Sequence, residues 1–129
     1  MSEWETMGKF CVQIKTIEVV TENMASTKIV VIYPQPTNVE EFEDVYANEH
    51  VPLAARKIKG LTKFVGTRIV GMADGSTPPF HRIAELHFAS AEAMQEALAD
   101  PGGQEAAAHA VQISSGGTPL FMIAEEETY

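Results

Sequence analysis

The chain has 129 residues, of which 45% are hydrophobic and 21% are charged. This balance is typical of one globular domain and is too apolar for a disordered chain. Nine Lys and Arg residues stand against eighteen Asp and Glu residues, so the formal net charge is −9. Such a charge repels phosphate backbones and anionic lipids, and no basic stripe offsets it. We therefore expect neither nucleic acid nor a membrane among the partners.

The N-terminal residues 1–23 differ from the remainder and form a predicted extension, because Met24 could itself start a chain. Phe10, Val12 and Ile14 alternate with polar residues, which predicts an extra β-strand over about residues 9–20, added to the edge of a sheet. The single cysteine, Cys11, cannot form an internal disulfide, which predicts a reducing, cytoplasmic location. No secretory signal pattern is visible.

Residues 24–129 form the predicted main domain, which begins with a strand and a helix. Residues 28–33 are a short apolar run ended by Pro34, which predicts a buried strand. Thr37 and Glu40 fit a capping box that starts a helix, and Gly60 ends that segment. A strand is predicted over residues 61–71, followed by a turn-rich stretch.

The second half repeats this plan. A strand is predicted over residues 80–88, then a helix capped by Ser90, interrupted at residues 100–103 and resumed to Ile113, and a last strand over residues 118–124. The order β-α-β-β-α-β predicts an α+β fold. It is a ferredoxin-like sandwich, in which a four-stranded antiparallel sheet carries both helices on one face.

Two of the predicted strands are apolar on both faces, namely residues 29–32 and residues 120–123. A sheet with helices on one side and water on the other should alternate apolar and polar residues. A second copy of the chain is the simplest cover for the free face, so we expect a homodimer. Two such sheets face to face would make a dimeric α+β barrel.

The first predicted helix carries a histidine close to a proline. Phe42, Tyr46 and His50 recur at four-residue steps, which places His50 on the inner edge of the helix. Pro52 cannot donate to the carbonyl of Asn48 and should bend the helix. Either the bend brings His50 over the space between helix and sheet as an acid or base, or His50 only caps a freed carbonyl where the helix ends.

The predicted strand over residues 80–88 has two different faces. One face is apolar core, made of Ala84, Leu86 and Phe88, and the other face carries His81, Ile83, Glu85 and His87. Glu85 and His87 are two residues apart, so they form either part of a site or a structural pair. Arg68 on the neighbouring strand is a candidate ion-pair partner, depending on the register.

The remaining candidates are weaker. Tyr33 and Tyr46 could donate hydrogen bonds to a carbonyl substrate, or be core aromatic residues. His109 lies in an alanine-rich helix and is expected to be exposed. No His and Cys spacing is typical of a metal site, so we expect no metal. A single histidine could be an axial ligand of haem, but no second pocket feature supports haem binding, and we expect no cofactor.

Several segments together resemble the EthD family, over about residues 28–125. They are, in chain order, KIVVIYPQP, HVPLA before KIKGL, FHRIAELHF, and GG ahead of the last strand. The resemblance implies a small homodimer of the dimeric α+β barrel superfamily, often encoded beside catabolic enzymes and named for ethyl tert-butyl ether degradation. Relatives in that superfamily include lactone isomerases, polyketide cyclases, cofactor-free monooxygenases and haem-binding enzymes. The His-x-Pro-Leu segment is a signature of the family, which strengthens the functional interpretation of His50.

Two functions follow as hypotheses. The first is a cofactor-free isomerase or cyclase for a small apolar carbonyl compound or lactone. The residues assigned to it are His50 as general acid/base, Tyr46 and His87 as orienting groups, and Tyr33, Phe42, Glu85 and Arg68 as ligand contacts. The second is a non-catalytic accessory or small-ligand-binding protein. A cavity with His50 and a second polar group within reach of one point favours the enzyme, and a groove filled by Phe42, Met94 and Leu98 favours the accessory role.

Overall fold

The computed structural model describes residues 26–129, so the strand predicted over residues 9–20 lies outside the described part. The described part contains four strands and a set of short helices. Their bounds in chain order are β1 Ser26–Pro34, α1 Val39–Val45, a π-helical turn Tyr46–His50, α2 Val51–Lys57, β2 Leu61–Arg68, β3 Phe80–Phe88, α3 Ala91–Ala99, α4 Pro101–Ile113 and β4 Leu120–Glu126. Compared with the predicted bounds, β2 ends three residues earlier and β4 is shifted by two residues.

The strands form one antiparallel sheet in the order β2-β3-β1-β4. This is the predicted ferredoxin-like α+β arrangement, and the prediction of fold class is confirmed. The helices cover one face, where Ile29, Val31 and Tyr33 of β1 are buried next to Ala84 and Leu86 of β3. On the opposite face of the sheet, called the open face below, apolar side chains remain only partly covered.

The first helix begins one residue later than predicted. Asn38, and not Thr37, is the N-cap residue, and its side-chain oxygen accepts a hydrogen bond from the Glu41 backbone N–H at 3.0 Å. Asn and Asp are favoured at this position because they satisfy one of the helix's unpaired amides. The predicted capping box at Thr37 and Glu40 is therefore wrong.

Pro52 does not end the helix, which continues to Lys57. The helix widens into the π-helical turn before the proline, and the N–H of Val51 donates to the carbonyl of Tyr46, five residues back. Pro52 then stands in the first turn of α2, where a missing N–H costs little. His50 is the last residue of the widened turn and faces the protein interior.

Two glycines set how closely α4 approaches its neighbours. A Cβ atom on Gly102 would collide with the carbonyl of Lys57 at the end of α2, and one on Gly103 would collide with the carbonyl of Ala97 in α3. Glycine permits this backbone approach because it has no side chain. The segment predicted as an interruption is thus the point where α4 docks, with Asp100 as its N-cap.

A β-bulge in β3 changes the direction of His81. Tyr33 pairs with Arg82 but Pro34 pairs with Phe80, which leaves His81 without an opposite residue on β1. An extra residue of this kind re-aims its side chain. His81 packs its ring against Phe42 of α1, so the prediction that it shares a face with Glu85 and His87 is wrong.

Candidate functional site

A cavity of about 50 Å³ lies between the helices and the covered face of the sheet. Its wall is apolar except for the side chains of Tyr33 and His50. Six alanines contribute to the wall, and they are Ala54, Ala84, Ala97, Ala106, Ala107 and Ala110. Because methyl side chains fill little volume, this density of alanines explains why space remains in an otherwise packed interior.

Tyr33 and His50 bring two polar groups to the same point of this wall. Tyr33 is fully buried and His50 is 5% exposed. The Tyr33 hydroxyl and His50 Nε2 are 3.4 Å apart, at the long end of hydrogen-bonding distance. Burial raises the pKa of the Tyr33 hydroxyl far above its ordinary value, so the phenol stays protonated and remains a donor. A ligand oxygen at this point could contact both groups.

The predicted column of rings along the first helix is present. Phe42 stacks on Tyr46 at a centroid distance of 5.7 Å, and Tyr46 stacks on His50 at 5.8 Å. The Tyr33 ring meets all three edge-on. These contacts fix the plane of the His50 ring. Its Nε2 atom then faces the Tyr33 hydroxyl, and its Nδ1 atom faces away from Tyr33.

His109 is the neighbour of the second ring nitrogen of His50, Nδ1. The two Nδ1 atoms are 2.9 Å apart, and the ring planes differ by only 16°. His109 is half-buried, so the prediction that it is exposed is wrong. A signal did exist in the sequence, because His109 falls on the apolar stripe of α4 with Ala106, Ala110 and Ile113 at helical spacing.

Burial lowers the pKa of His50 to about 4, and the nearby His109 acts in the same direction. At neutral pH the His50 imidazole is therefore uncharged, with one N–H and one lone pair. A hydrogen bond between two Nδ1 atoms requires that one of them carries the proton. The tautomer of His50 is consequently tied to the state of His109.

A polar cluster braces the ring column from the side. Glu43 accepts two hydrogen bonds from Arg82, at 2.7 and 3.0 Å, and one of its oxygens lies 2.8 Å from His81 Nε2. Arg82 and His81 hold the pKa of the Glu43 carboxyl below its usual range, against the opposing effect of burial. The Arg82 guanidinium lies 4.7 Å from the centre of the Tyr46 ring. Sequence reasoning missed this cluster, because it depends on the bulge at His81.

The Tyr46 hydroxyl is buried and has no hydrogen-bond partner among the described residues. Burial raises its pKa, so the group stays a neutral phenol. It lies beside Gly66 of β2, 3.5 Å from the position that a Cβ atom on this glycine would take. Tyr46 is close to the cavity through its stacking on His50, although it does not form part of the cavity wall.

Comparison with known proteins identifies the family. Residues 34–113 match the family model described as the EthD domain, which is more than half of the chain. The chain belongs to the EthD family. A curated relative from Rhodococcus erythropolis, an uncharacterised 11.0 kDa protein in the thcB-thcC intergenic region, is 30% identical and covers 77% of this chain and 94% of its own length.

Solved structures share this fold, and one of them comes from the same family. An ethyl tert-butyl ether degradation (EthD) family protein from Bacillus halodurans superposes with a TM-score of 0.71 at 33% identity, covering 78% of this chain and 98% of its own. SnoaB from Streptomyces nogalater, a cofactor-independent oxygenase, gives a TM-score of 0.51 at 19% identity in the structure of a point mutant, covering 81% and 93%. At that identity the likeness to SnoaB concerns the fold alone.

Within one copy of this EthD chain, the sheet separates His87 from His50. His87 pairs in register with Lys28 on β1, and its side chain belongs to the open face. There His87 Nε2 lies 3.0 Å from Glu85, which also accepts from Lys28 at 3.2 Å. The ion-pair partner of Glu85 is thus Lys28, not Arg68.

The other residues assigned from the sequence as ligand contacts lie in different parts of the structure. Tyr33 lines the cavity, whereas Phe42 is buried in the core and does not form part of the cavity wall. Arg68 is exposed at the end of β2. Glu85 lies on the open face, away from the cavity. The cavity wall therefore contains His50 and Tyr33. His109 lies behind His50, outside the wall.

One group of described side chains has the composition of a metal site. Potential ligand atoms of Glu85, His87 and Glu126 all lie within 4.8 Å of one another on the open face. The Lys28 ammonium, however, donates to Glu85 and to Glu126, at 3.2 and 3.3 Å. A metal ion would have to displace this cation. None of the helices between residues 26 and 129 is long and apolar enough to cross a lipid bilayer.

Proposed function

We propose that this EthD-family chain binds a small apolar carbonyl compound or lactone in the cavity and acts on it as a cofactor-free isomerase or cyclase. The observation that carries the proposal is the pairing of His50 Nε2 with the Tyr33 hydroxyl, 3.4 Å apart, on an otherwise apolar wall. Of the three residues expected to fill a merely packed groove, Phe42 and Met94 do not line the cavity, whereas Leu98 does. That arrangement favours acid–base chemistry over a groove that is merely packed.

The proposed roles follow from protonation. Tyr33 stays protonated, so its O–H can donate to the carbonyl oxygen of the ligand and stabilise charge that develops there. Neutral His50 can take a proton at Nε2 from the carbon next to that carbonyl and return it to a second position. One proton leaves the substrate and one is returned, so the product is an isomer. The apolar wall excludes water, which strengthens the interactions of Tyr33 and His50 with the ligand.

The cavity limits the size of the ligand. A protein cavity that binds benzene measures about 150 Å³, whereas this one measures about 50 Å³. A ligand larger than a few non-hydrogen atoms must therefore displace lining side chains or extend beyond the cavity. A compact apolar carbonyl compound fits best.

A second candidate is a non-catalytic accessory protein that only holds such a ligand. The observation favouring it is the pKa of His50, which at about 4 makes the imidazole a weak base at neutral pH. Both ring nitrogens of His50 also already have partners in the structure. Under this alternative the ligand is bound and released unchanged.

Mass spectrometry of small molecules retained by the purified native protein tests both candidates. A compound found there, or by screening apolar ketones and lactones, is then incubated with the wild-type chain, His50→Gln and Tyr33→Phe. Turnover that both variants lose supports the enzyme. Binding without conversion by the wild-type chain supports the accessory role, and full turnover by His50→Gln contradicts the assignment of His50.

The oligomeric state and the cellular location are part of the same proposal. We expect a homodimer in which two open faces meet, because Leu120 and Met122 on β4 remain 47% and 41% exposed there. We also expect a cytoplasmic protein of a catabolic pathway, in line with the single cysteine and the family's name. Residues 1–23 are proposed as an extension outside the EthD domain, whose match begins at residue 34.

A further inference from the structure

The contact between His50 and His109 is not used by the proposed chemistry and requires an explanation. Two imidazoles on different helical segments, 59 residues apart in the chain, place their Nδ1 atoms 2.9 Å apart with nearly coplanar rings. This is the geometry of one shared proton. His50 is buried in the cavity wall, whereas His109 is only half-buried and is not part of that wall.

Charge explains why such a pair is useful. A base that takes a proton in an apolar cavity becomes a buried cation, which desolvation disfavours. If the Nδ1 proton of His50 passes to His109 as Nε2 accepts a proton, His50 remains neutral and the positive charge forms on the less buried ring. The bond geometry allows this transfer without movement of either ring.

The groups that face the pair do not provide an alternative counter-ion. Tyr33 of β1 and Tyr46 of the π-helical turn contact His50, and both are neutral phenols at physiological pH. On α4, the charged Glu105 lies one turn before His109 and pairs with Lys57 of α2 at 3.5 Å. Within residues 26–129, the hydrogen-bond partners of His50 are Tyr33 and His109, and neither is a carboxylate.

We propose that His109 is the outer member of a two-histidine proton relay, which moves the positive charge of the reaction from the buried His50 to the less buried ring of His109. The inference rests on the proposed function of the cavity. In the forward step, His50 Nε2 gains the substrate proton, the Nδ1 proton of His50 moves to His109 Nδ1, and His109 becomes an imidazolium. The return step reverses each transfer, so charge and protons balance. His109 is a positioning residue and does not touch the substrate.

The first arm of the test needs no substrate. Nuclear magnetic resonance of the histidine side-chain nitrogens follows the titration of His50 in the full chain, in His109→Ala and in the control Gln112→Ala. Gln112 is exposed on the same helix, one turn away. Because His109 acts to lower the pKa of His50, that pKa should rise in His109→Ala, whereas the control should keep it at about 4. An unchanged titration and tautomer in His109→Ala overturns the relay.

The second arm uses the compound found by mass spectrometry or screening. We expect His109→Ala to lower kcat about tenfold or more at pH 7 with little change in KM, and added imidazole to restore it. A purely structural role for His109 would not respond to imidazole. Full kcat in His109→Ala overturns the relay while leaving the proposed function intact. Full turnover by His50→Ala overturns the proposed function, and the relay with it.

Discussion

At the residue scale, the burial of His50 links the site to the stability of the fold. The unfolded chain protonates this histidine near pH 6.5, whereas the folded chain does so only near pH 4. Between these values the unfolded state binds more protons, so the free energy of unfolding falls as the pH falls. Above pH 6.5 both states are neutral, and the contribution is constant.

We therefore predict that wild-type stability declines between pH 6.5 and pH 4.5 more steeply than that of His50→Gln. The free energy of unfolding that is lost through protonation of His50, complete near pH 4, is on the order of 3 kcal/mol. Urea unfolding at a series of pH values measures it. Glu43 and Glu85, whose pKa values are lowered by their partners, stabilise the fold above their ordinary range and lose that effect only at lower pH. Parallel curves for the two proteins would contradict the burial of a neutral His50.

Tyr46 allows a second prediction at this scale. A buried hydroxyl without a partner costs about 1–3 kcal/mol of desolvation that no hydrogen bond offsets. Tyr46→Phe removes this hydroxyl and keeps the ring that stacks between Phe42 and His50. We expect the variant to be as stable as the wild type or more stable, by thermal unfolding.

Tyr33→Phe is the matched control, since its hydroxyl has His50 as a partner. That variant should not gain stability. If Tyr46→Phe is clearly destabilised, the hydroxyl has a partner in solution that the structure does not describe. If it gains stability but loses turnover, the phenol serves the ligand at a cost to the fold.

The sequence predicted some of these residues and not others. Phe42, Tyr46 and His50 were found because four-residue spacing on one helix decides which rings meet. The contact of His109 with His50 was not predicted, because the two residues are 59 positions apart and the contact depends on the docking of α4 at Gly102 and Gly103. Contacts between distant segments are not written in local periodicity.

At the element scale, alanines on the helices create the cavity, and this can be tested. Ala106 of α4 is buried in the cavity wall, whereas Ala108 is exposed two residues later. We predict that Ala106→Val weakens retention of the ligand, because the added methyl groups enter the cavity. Ala108→Val should leave retention unchanged.

Both variants should lose the same helix stability, since a valine in a helix is about 0.5 kcal/mol less favourable than an alanine. Any difference in ligand binding therefore reports on the cavity. Isothermal titration with the retained compound measures it. Equal affinity in both variants would show that the ligand binds elsewhere.

The elements themselves were predictable where periodicity was strong. The four strands and the ferredoxin-like order followed from short apolar runs separated by helical patterns. The bulge at His81 and the π-helical turn before Pro52 were not predicted. A bulge is set by how two strands pair, and a widened turn depends on which backbone groups find partners, so neither is visible in one segment alone.

At the scale of the whole molecule, the open face decides how the chain assembles. In register across the sheet, Ile83, Ile32 and Leu120 form one apolar row, and Val30 and Met122 lie in the next. Around β1 the charged groups of this face are already paired, since Lys28 bonds to Glu85 and Glu126. A second copy could thus cover β1 and β4 without leaving these charges buried and unpaired, which would be costly.

We predict that Met122→Glu shifts the chain towards a folded monomer, because a carboxylate would be buried without a partner against the second sheet. Val70→Glu is the control, since Val70 is an exposed apolar residue outside the sheet, at 87% exposure. Sedimentation at micromolar concentration should show dimers for the wild type and the control. All described side chains of the cavity wall belong to one chain, so the monomeric variant should retain the ligand. A wild-type chain that sediments only as a monomer would leave the apolar open face to a different partner, and dimers of Met122→Glu would place the interface elsewhere.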